Sequence, residues 1–353
     1  MLKITLVGNP YERGLKQGSV FSKELISLSK EYPTWLGDVS TDLVDKIRNK
    51  MVDYLDKNFP EMISELKGIS EGSGLHFDLI CTINFVSAIS ALNGCTNLVI
   101  LSTEAGPLLA KTSDIGNDFK YYSIQKVIPT DGQQYLAISW AGSLWAEVGI
   151  NSSGLVAGQS SGPTQKGQSG FGIPTLQYPR FILEKCTSVE DAIEFCKITP
   201  MAGKGLSIAL VDKFGKSAIV EKSGTAFAVR FPAQQVDKNR NGSSTNGVFC
   251  TNIFLEKEMQ GFGELSLAGV PSLEENSKLR LENVNSFLTD NPKPSIQKIE
   301  KLLFTPLQQG GLCQLKYEPL ITHYAYVLSP IKNKMSIYEG IPQKQLTRKD
   351  YFI

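Results

Sequence analysis

The 353-residue chain has two histidines, His76 and His323. It has no cysteine pair at metal-ligand or redox spacing. Its six cysteines, Cys81, Cys95, Cys186, Cys196, Cys250 and Cys313, are scattered, which excludes a zinc knuckle and a disulfide framework. No apolar run approaches the roughly 20 residues that cross a bilayer. The opening "MLKITLVGNPYERG" breaks into glycine, proline and charge too early for a secretory signal. No excess of one charge exists either: Lys plus Arg is 36, Asp plus Glu is 35, and the net charge is +1. That balance calls for no nucleic acid, anionic membrane or polyionic partner. These absences predict a cytoplasmic protein without metal or cofactor, its cysteines mostly buried as small hydrophobes in a reducing compartment.

What is present is ordinary for a globular chain: 41% hydrophobic and 20% charged residues, with ample length for a large core. Residues 21–57 carry apolar positions at helical spacing, interrupted near Pro33. "FPEMISELKGISEGSGL" starts with proline at a helix N-terminus and ends in glycine punctuation. "HFDLICTINFVSAISAL" fits a buried helix stopped by Asn93-Gly94. From Cys95 the pattern changes. "TNLVIL" and "PLLAKTSDI" predict a hairpin, and strands continue through "QYLAISWAGSLWAEVGIN" and "GLVAGQS". A helical stretch, "LQYPRFILEKCTSVEDAIEFCKI", precedes a meander of "GLSIALVD", "SAIVEKS" and "TAFAVRF". Residues 233–246 predict a surface loop, "GVFCTNIF" a short strand, residues 274–304 helix, and "THYAYVLSP" with "KMSIYEG" a closing hairpin. Helices, strands, helices, strands, helices, strands is not a strand–helix alternation. It predicts an α+β layered sandwich with mainly antiparallel sheets, as a single domain over residues 1–353.

Three constellations could carry chemistry. Gly158-Gln159-Ser160-Ser161-Gly162 matches a nucleophile elbow, with His323 as a partner for Ser160, but the glycine- and proline-rich "PTQKGQSGFGIP" follows where that motif needs a helix. A Cys95 pair with His76 or His323 lacks a visible orienting group. The third is "ISALNGCTNLVIL", where a cysteine opens a strand directly behind Asn93-Gly94. If the Gly94–Cys95 bond is cut, a new α-amino group, with an unperturbed pKa of about 7.7–8.0, sits beside its own thiol. It can serve as that thiol's general base with no histidine. Gly94 leaves the scissile carbonyl unshielded. Taken alone, the three residues favour a turn followed by a buried cysteine.

"NGCTNLVIL" followed by "LLAKTSDIG" resembles the nucleophile region of the acyl-coenzyme A:6-aminopenicillanic acid (isopenicillin N) acyltransferase family of autoproteolytic N-terminal nucleophile hydrolases. The Gly-Cys-Thr cleavage site corresponds to Gly94, Cys95 and Thr96. The aspartate of the next strand corresponds to Asp114, in Thr112-Ser113-Asp114 where the family usually has Asn-Trp-Asp. "GNPYERGLKQGSVFSKEL", "VGINSSGLVAG", "PRFILEKCTSVEDAI" and "CTNIF" resemble further family segments in order and spacing.

The resemblance implies a four-layer αββα sandwich and self-cleavage into residues 1–94, a helical segment, and residues 95–353, the catalytic segment. It implies acyl hydrolysis or transfer on a small-molecule amide or thioester, acyl-coenzyme A among them. Cys95 is the implied nucleophile, Asp114 orients its amine and thiol, and Asn252 donates to the oxyanion hole with a backbone N–H near Gln159 or Ser160. Lys111 stands where related amidases carry arginine, keeping the charge without the planar fork, and Arg280 matches a second family arginine. "YEPLITHYAYVL" lacks the arginine of the penicillin-forming member near the final hairpin. The other readings are a serine hydrolase on Ser160 and His323, and an uncleaved, non-catalytic binding protein.

Overall fold

The computed structural model describes residues 1–36, 39–85, 94–115, 120–162, 171–203, 205–234, 242–259, 273–315, 320–340 and 347–353. Among the described residues five helices occupy the first quarter: α1 (Pro10–Val20), α2 (Ser22–Leu36), α3 (Thr41–Asn58), α4 (Pro60–Ser73) and α5 (Phe77–Phe85). The expected helix end over residues 86–93 and the middle of the expected loop, residues 235–241, lie outside the described residues. The strands run in chain order as β1 (Leu2–Gly8), β2 (Gly94–Ile100), β3 (Leu108–Ile115), β4 (Tyr122–Pro129), β5 (Tyr135–Trp140), β6 (Val148–Asn151) and β7 (Val156–Ser161). The short β8 (Ile173–Pro174) and β9 (Met201–Ala202) pair with each other. Then follow β10 (Leu206–Val211), β11 (Ser217–Lys222), β12 (Phe227–Arg230), β13 (Ser243–Ser244), β14 (Gly247–Cys250), β15 (Ile321–Ser329), β16 (Lys334–Glu339) and β17 (Thr347–Phe352).

The described strands build two large sheets. One has the order β1-β4-β5-β6-β7-β10-β11-β12, the other β13-β14-β2-β3-β15-β16-β17. Apart from β1–β4 and β8–β9, the described strand pairs are antiparallel. Three apolar cores separate four layers. Leu25, Leu66 and Ile69 of the N-terminal helices, with Ile182 and Ala192, pack on Ala137, Ala157, Ile208 and Val220 of the first sheet. Val99, Leu109 and Leu328 meet Ile138, Val148 and Ile219 between the sheets. Leu98, Ala110 and Val327 pack on Leu281, Val284 and Leu302 of the helices Leu273–Asp290 and Ile296–Phe304. Side chains alternate along a strand, so β2 turns Val99 inward and Leu98 and Ile100 outward. A strand covered on both faces is apolar throughout, and that is why "TNLVIL" shows no polar alternation. The fold is the expected αββα sandwich.

Three elements go beyond the sequence reading. β1 joins the first sheet in parallel with β4, so the segment before Cys95 is not purely helical. β4 itself is a strand that the sequence pattern does not announce. β17 extends the closing hairpin, and its mostly exposed "TRKDYF" has no apolar face to mark it.

Two features fasten residues 1–94 to the remainder of the chain and to each other. Gly14 and Gly18 of α1 face Gly68 and Gly72 of α4 at backbone contact. A Cβ on Gly14 would stand 2.0 Å from the Glu65 carbonyl oxygen, and one on Gly68 2.3 Å from that of Tyr11. The close approach brings Arg13 to Glu65 at 3.0 Å, and the same pair meets Glu184 and Arg180 of the helix Tyr178–Lys185. Gly68→Ala should cost about 1–3 kcal/mol through forced separation of the helices. It should appear as a lower denaturant midpoint at unchanged m-value; an unchanged midpoint would show that the two backbones are not in contact.

Candidate active site

Register sets the site. β2 and β3 place Gly94 opposite Asp114, Cys95 opposite Ser113, and Asn97 opposite Lys111. On its other edge β2 pairs with β14, whose last residue, Cys250, leads directly into Thr251 and Asn252. Gly94 is tightly enclosed: a Cβ there would come within 2.5 Å of Leu320 Cδ1 and 3.2 Å of Asp114 Cβ. A side chain there would have to displace the end of Leu320 and press on Asp114.

Each polar group of Cys95 has a buried side-chain partner. Its backbone N–H donates to Asn252 Oδ1 at 3.1 Å. Its carbonyl oxygen accepts from Arg280 Nη1 at 2.8 Å and from Ser160 Oγ at 3.2 Å. Its Sγ lies 3.9 Å from Glu147 Oε1. Asn252 Oδ1 also accepts from Arg280 Nη2 at 2.8 Å, while Asn252 Nδ2 donates to the Ser161 carbonyl at 2.8 Å. Two donors on one atom and an acceptor on the other fix the orientation of this amide. Arg280 is fully buried and donates further to Thr96 Oγ1, Asn276 Oδ1 and Ser277 Oγ, with Asp114 Oδ2 at 3.8 Å. Asp114 accepts from Thr322 Oγ1 at 2.6 Å and from Thr112 Oγ1 at 3.3 Å.

Lys111 Nζ donates to the Gln159 carbonyl at 2.9 Å and pairs with Glu147 Oε1 at 3.2 Å; Ser113 Oγ also donates to Glu147 Oε1. Glu147 is a site residue that sequence reasoning missed. The signal was a lone carboxylate in the mostly apolar "SLWAEVGIN"; it is 1% exposed, and among the described residues its Oε2 has no hydrogen-bond partner.

Electrostatics follow from burial and these neighbours. Burial pushes the Cys95 thiol up to about 12; Lys111 pulls it down while Glu147 and Asp114 push it further up. At neutral pH the group in the uncut chain is a thiol. Burial works to lower Lys111, but Cys95 and Glu147 outweigh it and leave the ammonium above its ordinary value. Burial raises Asp114 above the usual carboxylate range, against Arg280, Thr322 and Gln314, which favour its charged form.

Cys95, Asp114, Asn252, Lys111, Ser160 and Arg280 are therefore brought together. Gln159 enters differently from expectation: its N–H donates to the Glu147 carbonyl at 2.9 Å, and its own carbonyl holds Lys111. Ser160 does not form a nucleophile elbow. It lies inside β7, its Oγ placed between the Asn97 amide at 2.7 Å and the Cys95 carbonyl. His323 sits at a register shift on β15, in the other sheet, with burial lowering its pKa. His76 is exposed at the start of α5 and does not approach Cys95. Among the described residues no cluster of His, Cys, Asp or Glu could hold a metal ion, and no helix is long and apolar enough to cross a membrane.

Cys95 thus stands near the head of a central strand of an αββα sandwich, its backbone amide held by the Asn252 side chain. The chain belongs to the acyl-coenzyme A:6-aminopenicillanic acid acyl-transferase family, whose model matches residues 101–342, more than half of it. The match includes Lys111, Asp114, Gln159, Ser160, Asn252 and Arg280 and begins downstream of Cys95. Membership places it with acyltransferases. Among solved structures it is similar to a mutant of conjugated bile acid hydrolase from Clostridium perfringens, at 17% identity and TM-score 0.46, over 72% of this chain and 92% of that one. It is similar to penicillin V acylase from Agrobacterium tumefaciens at 16% identity and TM-score 0.48, over 72% and 86%. An N-acylethanolamine-hydrolysing acid amidase ortholog from Caenorhabditis elegans matches at 11% identity and TM-score 0.45, over 67% and 93%. No curated protein sequence matches it.

The Lys111–Glu147 pair yields a test in uncut Cys95→Ala protein. Glu147→Gln leaves a buried ammonium without its counter-charge and should cost about 3–5 kcal/mol. Adding Lys111→Met should recover a large part of that loss in a urea double-mutant cycle. Additive losses would show that the two groups are not a pair.

Proposed function

We propose that the protein is an N-terminal cysteine amidohydrolase or acyltransferase, activated by cutting its own Gly94–Cys95 bond. The observation that carries this reading is the Cys95 N–H on Asn252 Oδ1, with Sγ beside the Glu147 carboxylate. It places a proton acceptor near the thiol before any free amine exists. In the uncut chain Glu147 takes the thiol proton and Sγ attacks the Gly94 carbonyl carbon. The C–N bond breaks, nitrogen takes a proton, and water hydrolyses the resulting thioester. Gly94 ends as a carboxylate, and Cys95 has a free thiol and amine.

In the cut protein the Cys95 amine is the general base for its own thiol. Sγ attacks the substrate acyl carbon, Asn252 Nδ2 stabilises the oxyanion, and the leaving group departs protonated. Water or an acceptor then takes the acyl group from sulfur. Asp114 and Arg280 hold the amine, carbonyl and Asn252 in place, and Lys111 supplies the positive charge near the thiol. The substrates are small-molecule acyl amides or acyl thioesters such as acyl-coenzyme A, with no cofactor, nucleic acid or membrane involved. Residues 1–94 and 95–353 remain one domain after cutting, because β1 stays paired in the first sheet, Arg13 stays with Glu184 and Glu65 with Arg180. Six unpaired, buried cysteines suit a reducing, cytoplasmic setting.

Purified protein should give two co-eluting pieces, the larger beginning at Cys95 by N-terminal sequencing. Cys95→Ala should stay whole and inactive. Asn252→Ala should still be cut, slowly, and then transfer acyl groups on the order of 10²–10³ more slowly, as when an oxyanion donor is lost. A larger piece starting elsewhere, or a cut Asn252→Ala protein with the wild-type single-turnover rate, would contradict the proposal.

A further inference from the structure

Asn252 follows β14 directly but has no regular structure of its own, so something must hold its side chain on Cys95. Both flanks of Asn252 are tied to one buried ion pair on the opposite sheet. Glu221, on β11, accepts from the Leu255 N–H at 3.1 Å on Oε1 and 2.9 Å on Oε2, and from the Glu256 N–H at 3.0 Å on Oε2. Arg230, on β12, donates to Glu221 Oε1 through Nε at 3.3 Å and Nη2 at 3.1 Å. Arg230 Nη1 reaches back before Asn252, donating to the Phe249 carbonyl at 3.0 Å and to that of Gly242. Glu221 is 0% and Arg230 1% exposed.

We propose that Glu221 and Arg230 are positioning residues for acyl transfer: together they clamp the chain on both sides of Asn252 and set its amide on Cys95. The inference rests on the Asn252 role proposed above. The clamp engages Phe249, three residues before Asn252, and Leu255 and Glu256, three and four after it. Its members belong to the first sheet, whereas β14 belongs to the second, so the clamp fixes Asn252 against movement of one sheet over the other. Backbone N–H groups on a carboxylate and two guanidinium nitrogens on one of its oxygens are directional, charge-assisted bonds. A mere surface tether would not need them. Phe254, inside the clamped turn, closes on Gly162 and Gly205, where added Cβ atoms would lie 2.5 Å and 3.2 Å from its ring. The turn thereby also forms the wall beyond Ser161, whose carbonyl holds Asn252 Nδ2.

The test is a double-mutant cycle on cut protein, reading the burst of nitrophenolate from p-nitrophenyl acetate, with cut protein whose Cys95 thiol has been alkylated as background. Glu221→Gln keeps the shape but loses the charge. Misplacement of a catalytic group by about 1 Å costs on the order of 10²-fold, and a loss of that order is expected in the burst rate constant per folded molecule. In Asn252→Ala protein, Glu221→Gln should change the rate less than about threefold, because the residue it positions is gone. Arg230→Lys, which keeps the charge and loses the fork, provides the same comparison where Glu221→Gln does not fold. Equal losses with and without Asn252, or a wild-type rate in a folded clamp variant, would overturn the clamp while leaving the catalytic reading intact. A wild-type rate in Asn252→Ala alone would overturn both.

Discussion

The pairing of β2 with β3 is the constraint on which the site depends. Antiparallel register places Cys95 opposite Ser113 and Gly94 opposite Asp114, and brings Lys111 two residues along the same ladder. A slip of one residue would turn every one of these side chains to the other face of the sheet. The register is protected because β2 is apolar on both faces: Val99 fills the space between the sheets, and Leu98 and Ile100 fill the space under the outer helices. The same burial that secures the strand also excludes water from the thiol. That is why Cys95 ends near 12 in the uncut chain and needs a neighbouring acceptor or a new amine to react.

Three segments converge on that ladder from different layers. The helix Leu273–Asp290 supplies Arg280, the segment behind β14 supplies Asn252, and β7 supplies Ser160 and the Gln159 carbonyl. Arg280 is the common element, since it touches the Cys95 carbonyl, Asn252 and Thr96 at once. A guanidinium can do this because its five donors lie in one plane at fixed angles. Lysine at this position would reach one acceptor and leave the others unpaired. Lys111 has the simpler task of placing a point charge between a carbonyl and a carboxylate, which accords with an ammonium there.

Much of this was legible in the sequence, for identifiable reasons. Gly94-Cys95-Thr96 and Asp114 are close in sequence and sit on adjacent strands, so local motif and local structure coincide. Asn252 and Arg280 were legible only through their resemblance to family segments, since nothing in the local pattern marks an amide behind a strand or an arginine on a helix. Glu147 and Glu221 were missed because each is one carboxylate in a stretch that otherwise reads as core, Glu147 just before β6 and Glu221 within β11, and its partner lies far away in sequence. β1 was missed although "LKITLVG" alternates, with Ile4 and Leu6 buried between exposed Lys3, Thr5 and Val7; the run is short, and its parallel pairing with β4 is a long-range fact. The Gly-x-Ser-x-Gly match failed for a physical reason: an elbow needs a strained turn, and Ser160 lies in regular strand with its Oγ engaged on both sides.

The central claim is that Cys95 carries the acyl group. The most direct measurement is intact mass of the cut protein after brief exposure to a saturated acyl-coenzyme A, quenched in acid and followed by peptide mapping. The account predicts one acyl adduct, on the Cys95 thiol of the larger piece, removed by neutral hydroxylamine as a thioester. An adduct on Ser160 or on another cysteine, or a hydroxylamine-resistant adduct, would contradict it.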